Sequence, residues 1–307
     1  MKKLALPLVC CLLVVACGTQ KEKDNSTKLP IAAQLDIQGH RGARGLYPEN
    51  SLEAFSEALK LGVNTLELDL AVTADKQLVV SHEPYISAEI CLYPDGTEIA
   101  EDTAQELNIY QMTYEQVKSF DCGSKFVESF PDQQKAATFK PLLTDVIELA
   151  ENHSREKQDS SFNFNIELKS LSPYDNIYHP APAEFSDLVY ETIDKRLDWD
   201  RVIIQSFDFR VLRYFRETYP EVKLALLIEN DLPWRTNVDS LGFKPEIYSC
   251  YHMLLDEKKI EEMKKAGMQV VPWTINEEER MTELVSWGVD GIITDYPNIA
   301  LKLTNKE

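Results

Sequence analysis

The sequence predicts a closed (β/α)8 TIM-type barrel with a small insertion after the third strand. Three observations carry that expectation. Short apolar runs alternate with amphipathic helical patterns along most of the chain, which implies a parallel sheet. The 307 residues suffice for one domain of barrel size. Polar residues collect at the ends of several apolar runs, where a barrel builds its active site.

The elements follow in order. Leu35–Gln38 is a short strand that runs into the glycine-rich loop Gly39–Gly45. Asn50-Ser51-Leu52-Glu53 has the form of a capping box, with Asn50 as N-cap and Glu53 at N3. Leu52, Phe55, Ala58 and Leu59 then share one helical face, and Gly62 ends the helix. Strands are expected at Asn64–Ala71 and Leu78–Ser81, with too few residues between them for a helix. The connection 84–140 is too long for a simple loop and predicts a small subdomain over one barrel face. It carries ten acidic residues against four lysines. Helices follow at Val146–His153, Phe185–Leu197, Phe209–Glu217, Asp256–Ala266 and Glu277–Trp287, the last with Asn276 as its cap. Strands alternate with them at Asn163–Leu168, Val202–Gln205, Leu224–Ile228, Ile247–Tyr251, Gln269–Trp273 and Gly291–Thr294. That makes nine strand candidates, one more than a barrel needs, and Ile247–Tyr251 and Gly291–Thr294 carry the weakest patterns.

Composition and the N-terminus set the setting. A chain that is 44% hydrophobic and 27% charged is globular, not disordered or collagenous. The net charge of −19 repels phosphate backbones and argues against nucleic acid as a partner. Lys2 and Lys3 precede an uncharged apolar run, Leu4–Ala16, that is short for a membrane span. The run ends in Val14-Val15-Ala16-Cys17-Gly18, which resembles the bacterial lipoprotein signal. Residues 1–16 are then a signal peptide, Cys17 becomes the lipid-modified N-terminus, and residues 17–33 form a polar tether. The expectation is an exported protein of the cell envelope, held to a membrane by its N-terminal lipid and facing the periplasm or the cell surface. Of the remaining cysteines, Cys91 and Cys122 lie in one segment, and the sequence leaves open a bridge or two unpaired small apolar side chains.

The chemistry lies in two strands. Side chains alternate along a strand. In Thr65-Leu66-Glu67-Leu68-Asp69-Leu70 the leucines face the helices, so Glu67 and Asp69 face into the barrel. In Asn165-Ile166-Glu167-Leu168-Lys169 the same logic turns Glu167 and Lys169 inward. Three converging carboxylates repel one another unless a cation sits among them, and oxygen-only ligation favours Mg²⁺ or Ca²⁺. The competing reading is a structural ion pair between Lys169 and one carboxylate. His40 and His82 each follow a strand and could share acid and base roles near neutral pH. Histidines, a hard cation, a guanidinium from Arg41 and the Lys169 ammonium together suit a phosphoester. His153, His179 and His252 are read as solvated or structural, with His179 and His252 within reach of the mouth.

The motifs then fall into a known pattern. His40-Arg41-Gly42-Ala43, Pro48-Glu49-Asn50-Ser51, Glu67-Leu68-Asp69, Val80-Ser81-His82-Glu83, Ile166-Glu167-Leu168-Lys169, Gln205-Ser206-Phe207, Pro272-Trp273-Thr274 and Thr294-Asp295-Tyr296-Pro297 come in sequence order. Together they resemble the glycerophosphodiester phosphodiesterase family. Ser51 stands where that family usually has Thr, and Glu83 where it usually has Asp. The resemblance implies a phospholipase-C-like TIM barrel, one divalent cation, Ca²⁺ or Mg²⁺, and hydrolysis of glycerophosphodiesters to sn-glycerol 3-phosphate and an alcohol. It implies Glu67, Asp69 and Glu167 as metal ligands, His40 and His82 as the acid–base pair, and Arg41 and Lys169 as phosphate clamps. It further implies Glu49 at the glycerol hydroxyls or metal-bound water and Trp273 in the glycerol pocket. Two alternatives stay open on the same barrel: a lysophospholipid or phospholipid hydrolase and a silent binding lipoprotein. The first calls for an apolar acyl groove, expected in the 84–140 insertion, which is instead acidic. An acidic rim there would favour zwitterionic over anionic diesters.

Overall fold

The alternating apolar runs close on themselves into a wall of eight parallel strands. The structure, a computed structural model, describes Met1, residues 35–157 and residues 162–304. The predicted signal beyond Met1, Cys17 and the whole of the tether therefore lie outside the described residues. Strands β1 (Asp36–Gly39), β2 (Thr65–Val72), β4 (Asn163–Leu168), β5 (Val202–Ser206), β6 (Lys223–Ile228), β7 (Ile247–Cys250), β8 (Gln269–Val270) and β9 (Gly291–Thr294) make the wall. Around the barrel their order is β8-β7-β6-β5-β4-β2-β1-β9. β8 is regular for two residues only, yet its ladder continues, with Trp273 N donating to Cys250 O at 3.2 Å. The ring is closed between β8 and β9 by Asp290 N to Val270 O at 2.9 Å and Ile293 N to Pro272 O at 3.0 Å. Both strands with weak sequence patterns, β7 and β9, are full members of the wall.

The ninth strand is β3 (Leu78–Val80), which pairs antiparallel with β2, Leu70 opposite Val80. It hangs outside the ring of eight. A connection this short can join only antiparallel neighbours, because a parallel return needs a crossover. The insertion leaves from this hairpin and comes back to it, with Val80 N donating to Pro141 O at 2.8 Å. It holds the short helix α2 (Tyr114–Lys118) and its own core of Ile86, Cys91, Ile109 and Val117, packed on Ala71 and Val79. Cys91 and Cys122 are joined in a disulfide. Closing that loop stabilises the segment by about 3–4 kcal/mol on a chain-entropy account.

Helices α1 (Leu52–Leu61), α3 (Leu143–Lys157), α4 (Pro182–Asp194), α5 (Phe209–Thr218), α6 (Trp234–Leu241), α7 (Glu257–Lys265), α8 (Glu278–Ser286) and α9 (Pro297–Thr304) surround the wall. Leu66, Leu68, Leu70, Ile166 and Leu168 are fully buried in the core that also holds α1, α3 and α4 residues. Each such side chain contributes roughly 1.5–3 kcal/mol. A slip of one residue in β2 would turn these leucines inward and Glu67 and Asp69 outward, so the alternation protects the register. Among the described residues no helix is long and apolar enough to cross a membrane.

Two predicted caps are displaced by one residue. The N-cap of α1 is Ser51, whose hydroxyl accepts from Ala54 N at 3.1 Å, and not Asn50. Asn50 has φ of 54°, a left-handed conformation unlike the extended one of a cap, and its side chain points into the barrel. The N-cap of α8 is Glu277, and the Asn276 side chain likewise turns inward.

Candidate active site

The register of β2 and β4 assembles the carboxylates. Asp69 lies opposite Glu167, and Glu67 opposite Asn165. Glu67, Asp69 and Glu167 are all buried, and one carboxylate oxygen from each lies within 4.8 Å of the others. Lys169 Nζ stands 3.1 Å from Asp69 Oδ1 and 2.9 Å from Glu167 Oε2. From the β1 loop, Arg41 N donates to Glu67 Oε2 at 2.9 Å while Arg41 Nε lies 3.4 Å from Asp69 Oδ2. Arg41 has φ of 49°, and the turn passes so close to α1 that a Cβ on Gly42 would meet the Ala54 backbone at 2.7 Å. That close turn delivers Arg41 to the strand ends.

The charges in this cluster do not balance. Burial and the neighbouring Asp69 push the Glu67 carboxyl well above its ordinary range, and burial raises Glu167. Asp69 goes the other way: Lys169, His82 and Arg41 outweigh its burial and hold it well below the usual range. Part of the Arg41 charge is committed elsewhere, since Nη1 donates to Glu49 Oε2 at 2.8 Å. Three buried carboxylates with oxygen-only donors and too little neighbouring positive charge fit a hard divalent cation.

A line of buried amides holds one of these carboxylates from below. Gln205 Nε2 donates to Glu67 Oε1 at 2.8 Å, and Asn165 Nδ2 donates to Gln205 Oε1 at 3.1 Å and to Gln38 Oε1 at 2.8 Å. Gln38 Nε2 in turn reaches Asp36 Oδ2 at 2.7 Å. The barrel interior is thus polar along one side, while Ile203, Ala225, Ile247, Val271 and Ile293 fill the other.

Both histidines are oriented by carboxylates. His40 Nδ1 lies 2.6 Å from Asp295 Oδ1, and Asn276 Nδ2 donates to Asp295 Oδ2 at 2.8 Å. Burial lowers the His40 pKa against the pull of Asp295. Asp295 is also buried, but His40 and Arg44 outweigh that and bring it down to about 2. His82 Nδ1 lies 2.7 Å from Glu83 Oε1. These contacts at Nδ1 leave Nε2 of each ring for chemistry.

The histidines, the three carboxylates, Arg41 and Lys169 line one pocket of about 150 Å³, with Gln205, Phe207 and Trp273. Trp273 Nε1 donates to Ser249 O at 3.1 Å, which fixes the ring plane. Glu49 is not among the pocket-lining residues; its Oε2 faces Arg41 and Arg44, and their charges hold its carboxyl down at about 2 against burial. It meets the pocket through Arg41. His82 arrives by a different route from the one expected. It does not end a wall strand; β3 doubles back along β2, with Ser81 N donating to Asp69 O at 3.0 Å, and so sets His82 beside the carboxylates. His179 is buried against the backbone of Leu171 and Pro180, and His252 accepts from Arg280 Nε, so neither enters the pocket. His153 packs edge-on against Phe162.

Sequence reasoning missed four supporting residues. Asp295 and Gln205 stood in quoted motifs at strand ends without a role, and a polar residue at a barrel strand end was the available signal. Asn50, which donates to Asp69 Oδ2 at 2.9 Å, and Asn276 were assigned to helix caps.

Comparison with known proteins agrees with this geometry. The glycerophosphoryl diester phosphodiesterase family matches residues 40–299. A glycerophosphodiester phosphodiesterase of Caldanaerobacter subterraneus is 31% identical over 275 residues, covering 88% of this chain and 98% of the relative. A solved chain of Silicibacter pomeroyi assigned to the same family superposes with a TM-score of 0.78 at 27% identity, covering 88% of this chain and 93% of that one. An Oleispira antarctica phosphodiesterase solved with the product sn-glycerol-3-phosphate shares the fold, with a TM-score of 0.69 and 21% identity over 90% of this chain and 98% of that one. With its barrel, its pocket and a match that spans nearly every described residue, the chain belongs to the glycerophosphoryl diester phosphodiesterase family and is an enzyme of that family.

Proposed function

We propose that the chain hydrolyses glycerophosphodiesters to sn-glycerol 3-phosphate and an alcohol, with a divalent cation and with His40 and His82 as the acid–base pair. The observation that carries this reading is two carboxylate-oriented histidines on one pocket with three buried carboxylates and two cationic side chains. In this reading Glu67, Asp69 and Glu167 hold one Ca²⁺ or Mg²⁺. When bound, such a cation supplies Lewis-acid polarisation of a phosphoryl oxygen. Arg41 and Lys169 bind the remaining phosphoryl oxygens and stabilise the charge that grows on them in the transition state. One histidine takes a proton from the nucleophile at its Nε2, and the other gives a proton from its Nε2 to the leaving alcohol. Glu49 keeps the Arg41 guanidinium in place, and Trp273 closes the wall beside the glycerol. The test is release of glycerol 3-phosphate from glycerophosphocholine. His40→Ala and Glu167→Gln are each expected to lose at least about 10²-fold, and EDTA to abolish the activity. Full activity in excess chelator or in either variant overturns the mechanism.

We also infer an exported lipoprotein, cleaved after residue 16, lipid-modified at Cys17 and tethered to the domain by residues 17–33. The Cys91–Cys122 bridge supports folding in an oxidising compartment. Cys17→Ser is expected to move the protein from the membrane fraction to the soluble one, and unchanged partitioning rejects the anchor.

A further inference from the structure

The reaction pocket holds a cation that the proposed mechanism leaves without a role. Arg44 lines the pocket with Arg41 and Lys169 and comes from the loop after β1. Both its chain neighbours are pinned, Ala43 N to Ala54 O at 3.1 Å and Gly45 N to Asp295 O at 2.9 Å. Its guanidinium lies over the buried ring of Phe130, 4.6 Å from the ring centre, and Gln133 Nε2 donates to its carbonyl at 2.7 Å. Nε stands 3.0 Å from Glu49 Oε2, and among the described residues neither Nη nitrogen has a hydrogen-bond partner. The side chain is 21% exposed, so it is a held guanidinium with one edge left open.

The carboxylates near Arg44 are already shared. Glu49 Oε2 also accepts from Arg41 at 2.8 Å, and Asp295 is taken by His40 at 2.6 Å. Lys140 is buried and makes no ion pair among the described residues, yet its charge also bears on Glu49. One carboxylate therefore faces two guanidiniums and an ammonium, and this side of the pocket keeps an excess of positive charge. The limb of the insertion that packs on Arg44, residues 124–140, carries three lysines against Glu128 and Asp132, while eight of the insertion's ten acidic residues lie earlier in it. The part of the insertion that meets Arg44 is thus its least acidic part.

We propose that Arg44 determines headgroup specificity: its open Nη edge binds a second anionic oxygen group, a carboxylate or phosphate carried on the alcohol half of the substrate. The proposal rests on the hydrolase reading above and adds the choice of headgroup to it. The glycerol half of a glycerophosphodiester offers hydroxyls alone, so a second charge can sit only on the leaving alcohol. The planar edge of a guanidinium matches two oxygens of one such group. Phe130 and Glu49 hold that edge in place before the substrate arrives, which lowers the cost of ordering it. The preference is then for anionic over zwitterionic diesters, opposite to the one that the insertion's overall composition suggests.

The test compares diesters that differ by one anionic group. Glycerophosphoserine against glycerophosphoethanolamine isolates a carboxylate, and glycerophosphoglycerol with and without a terminal phosphate isolates a phosphate. The ratio of kcat/KM within each pair cancels whatever a variant does to catalysis in general. In the wild type the anionic member of at least one pair is expected to win by about tenfold or more, and the pair that shows it names the group. Arg44→Gln should bring that ratio to about one. Arg44→Lys keeps a charge beside Glu49 but not the two-oxygen fork, and should bring it to an intermediate value. A wild-type ratio at or below one in both pairs overturns the proposal. So does a ratio that neither variant moves, since an equal loss on every diester makes Arg44 a support for Glu49 only. Hydrolysis of all the diesters without preference removes this inference alone. If none is hydrolysed, calorimetric titration with glycerophosphoserine and glycerophosphoethanolamine reads the same ratio in binding; a preference there that Arg44→Gln abolishes removes the hydrolase reading and leaves the anion subsite.

Discussion

His40 and Asp295 are 255 residues apart in sequence and meet inside the barrel, with side chains 13% and 4% exposed. His82 and Glu83 are neighbours in the chain, 31% and 36% exposed at the rim. The imidazole–carboxylate distances are nearly equal, 2.6 and 2.7 Å, but the supports differ. Asp295 accepts from Asn276, and the backbone of His40 is tied to Thr294 O at 2.9 Å, so the first pair is locked by the β1–β9 seam. Glu83 is positioned by its own hairpin, where the Ser81 hydroxyl donates to the Glu83 carbonyl at 2.6 Å. The same contact is therefore preorganised in one place and adjustable in the other. A rigid pair can hold a ring in one tautomer and one orientation, while a rim pair can follow the substrate.

The sharpest way to break this comparison is to neutralise each carboxylate. Asp295→Asn is expected to cost about 10²-fold or more in kcat, by analogy with the loss of a buried orienting carboxylate. Glu83→Gln is expected to cost less than about tenfold. Equal losses would show that the rim pair is as fixed as the buried one.

Gln205 extends the idea of support from histidine to the proposed metal ligand Glu67. Removing its amide with Gln205→Leu is expected to weaken Ca²⁺ or Mg²⁺ affinity about 10- to 100-fold in a calorimetric titration. Unchanged affinity would mean that the Arg41 N–H alone orients Glu67.

The smallest effect is in stability. Asp295 titrates near 2 when folded, against about 3.9 unfolded. A depressed carboxyl contributes stability above the unfolded value, here roughly 2 kcal/mol, and loses it as pH falls through the folded value. His40, lowered by burial, acts in the same direction at higher pH, because the unfolded chain takes up its proton first. Urea midpoints of the wild type and Asp295→Asn should therefore start to converge below about pH 5 and meet only as pH falls through about 2. A constant gap would show that Asp295 is not strongly paired.

Much of the site was legible because it is written in period two. Alternation in β2 and β4 turned Glu67, Asp69 and Glu167 inward, and every proposed ligand is there. The strand count was also legible, but not which strand lies outside the wall: Leu78–Val80 has the same apolar character as a wall strand, and only pairing distinguishes it. Asn50 and Asn276 show the limit from the other side. Each stands before a helix with a good capping signature, yet each side chain serves the pocket, while Ser51 and Glu277 take the cap positions.

By itself the sequence determined the barrel class and the inward carboxylates, because side-chain direction along a strand follows from local geometry. Tertiary structure alone decided the partners: Asp295 for His40, and Gln205 for Glu67 across 138 residues. These depend on which strands become neighbours when the ring closes, and that long-range pairing leaves no periodic mark in the chain.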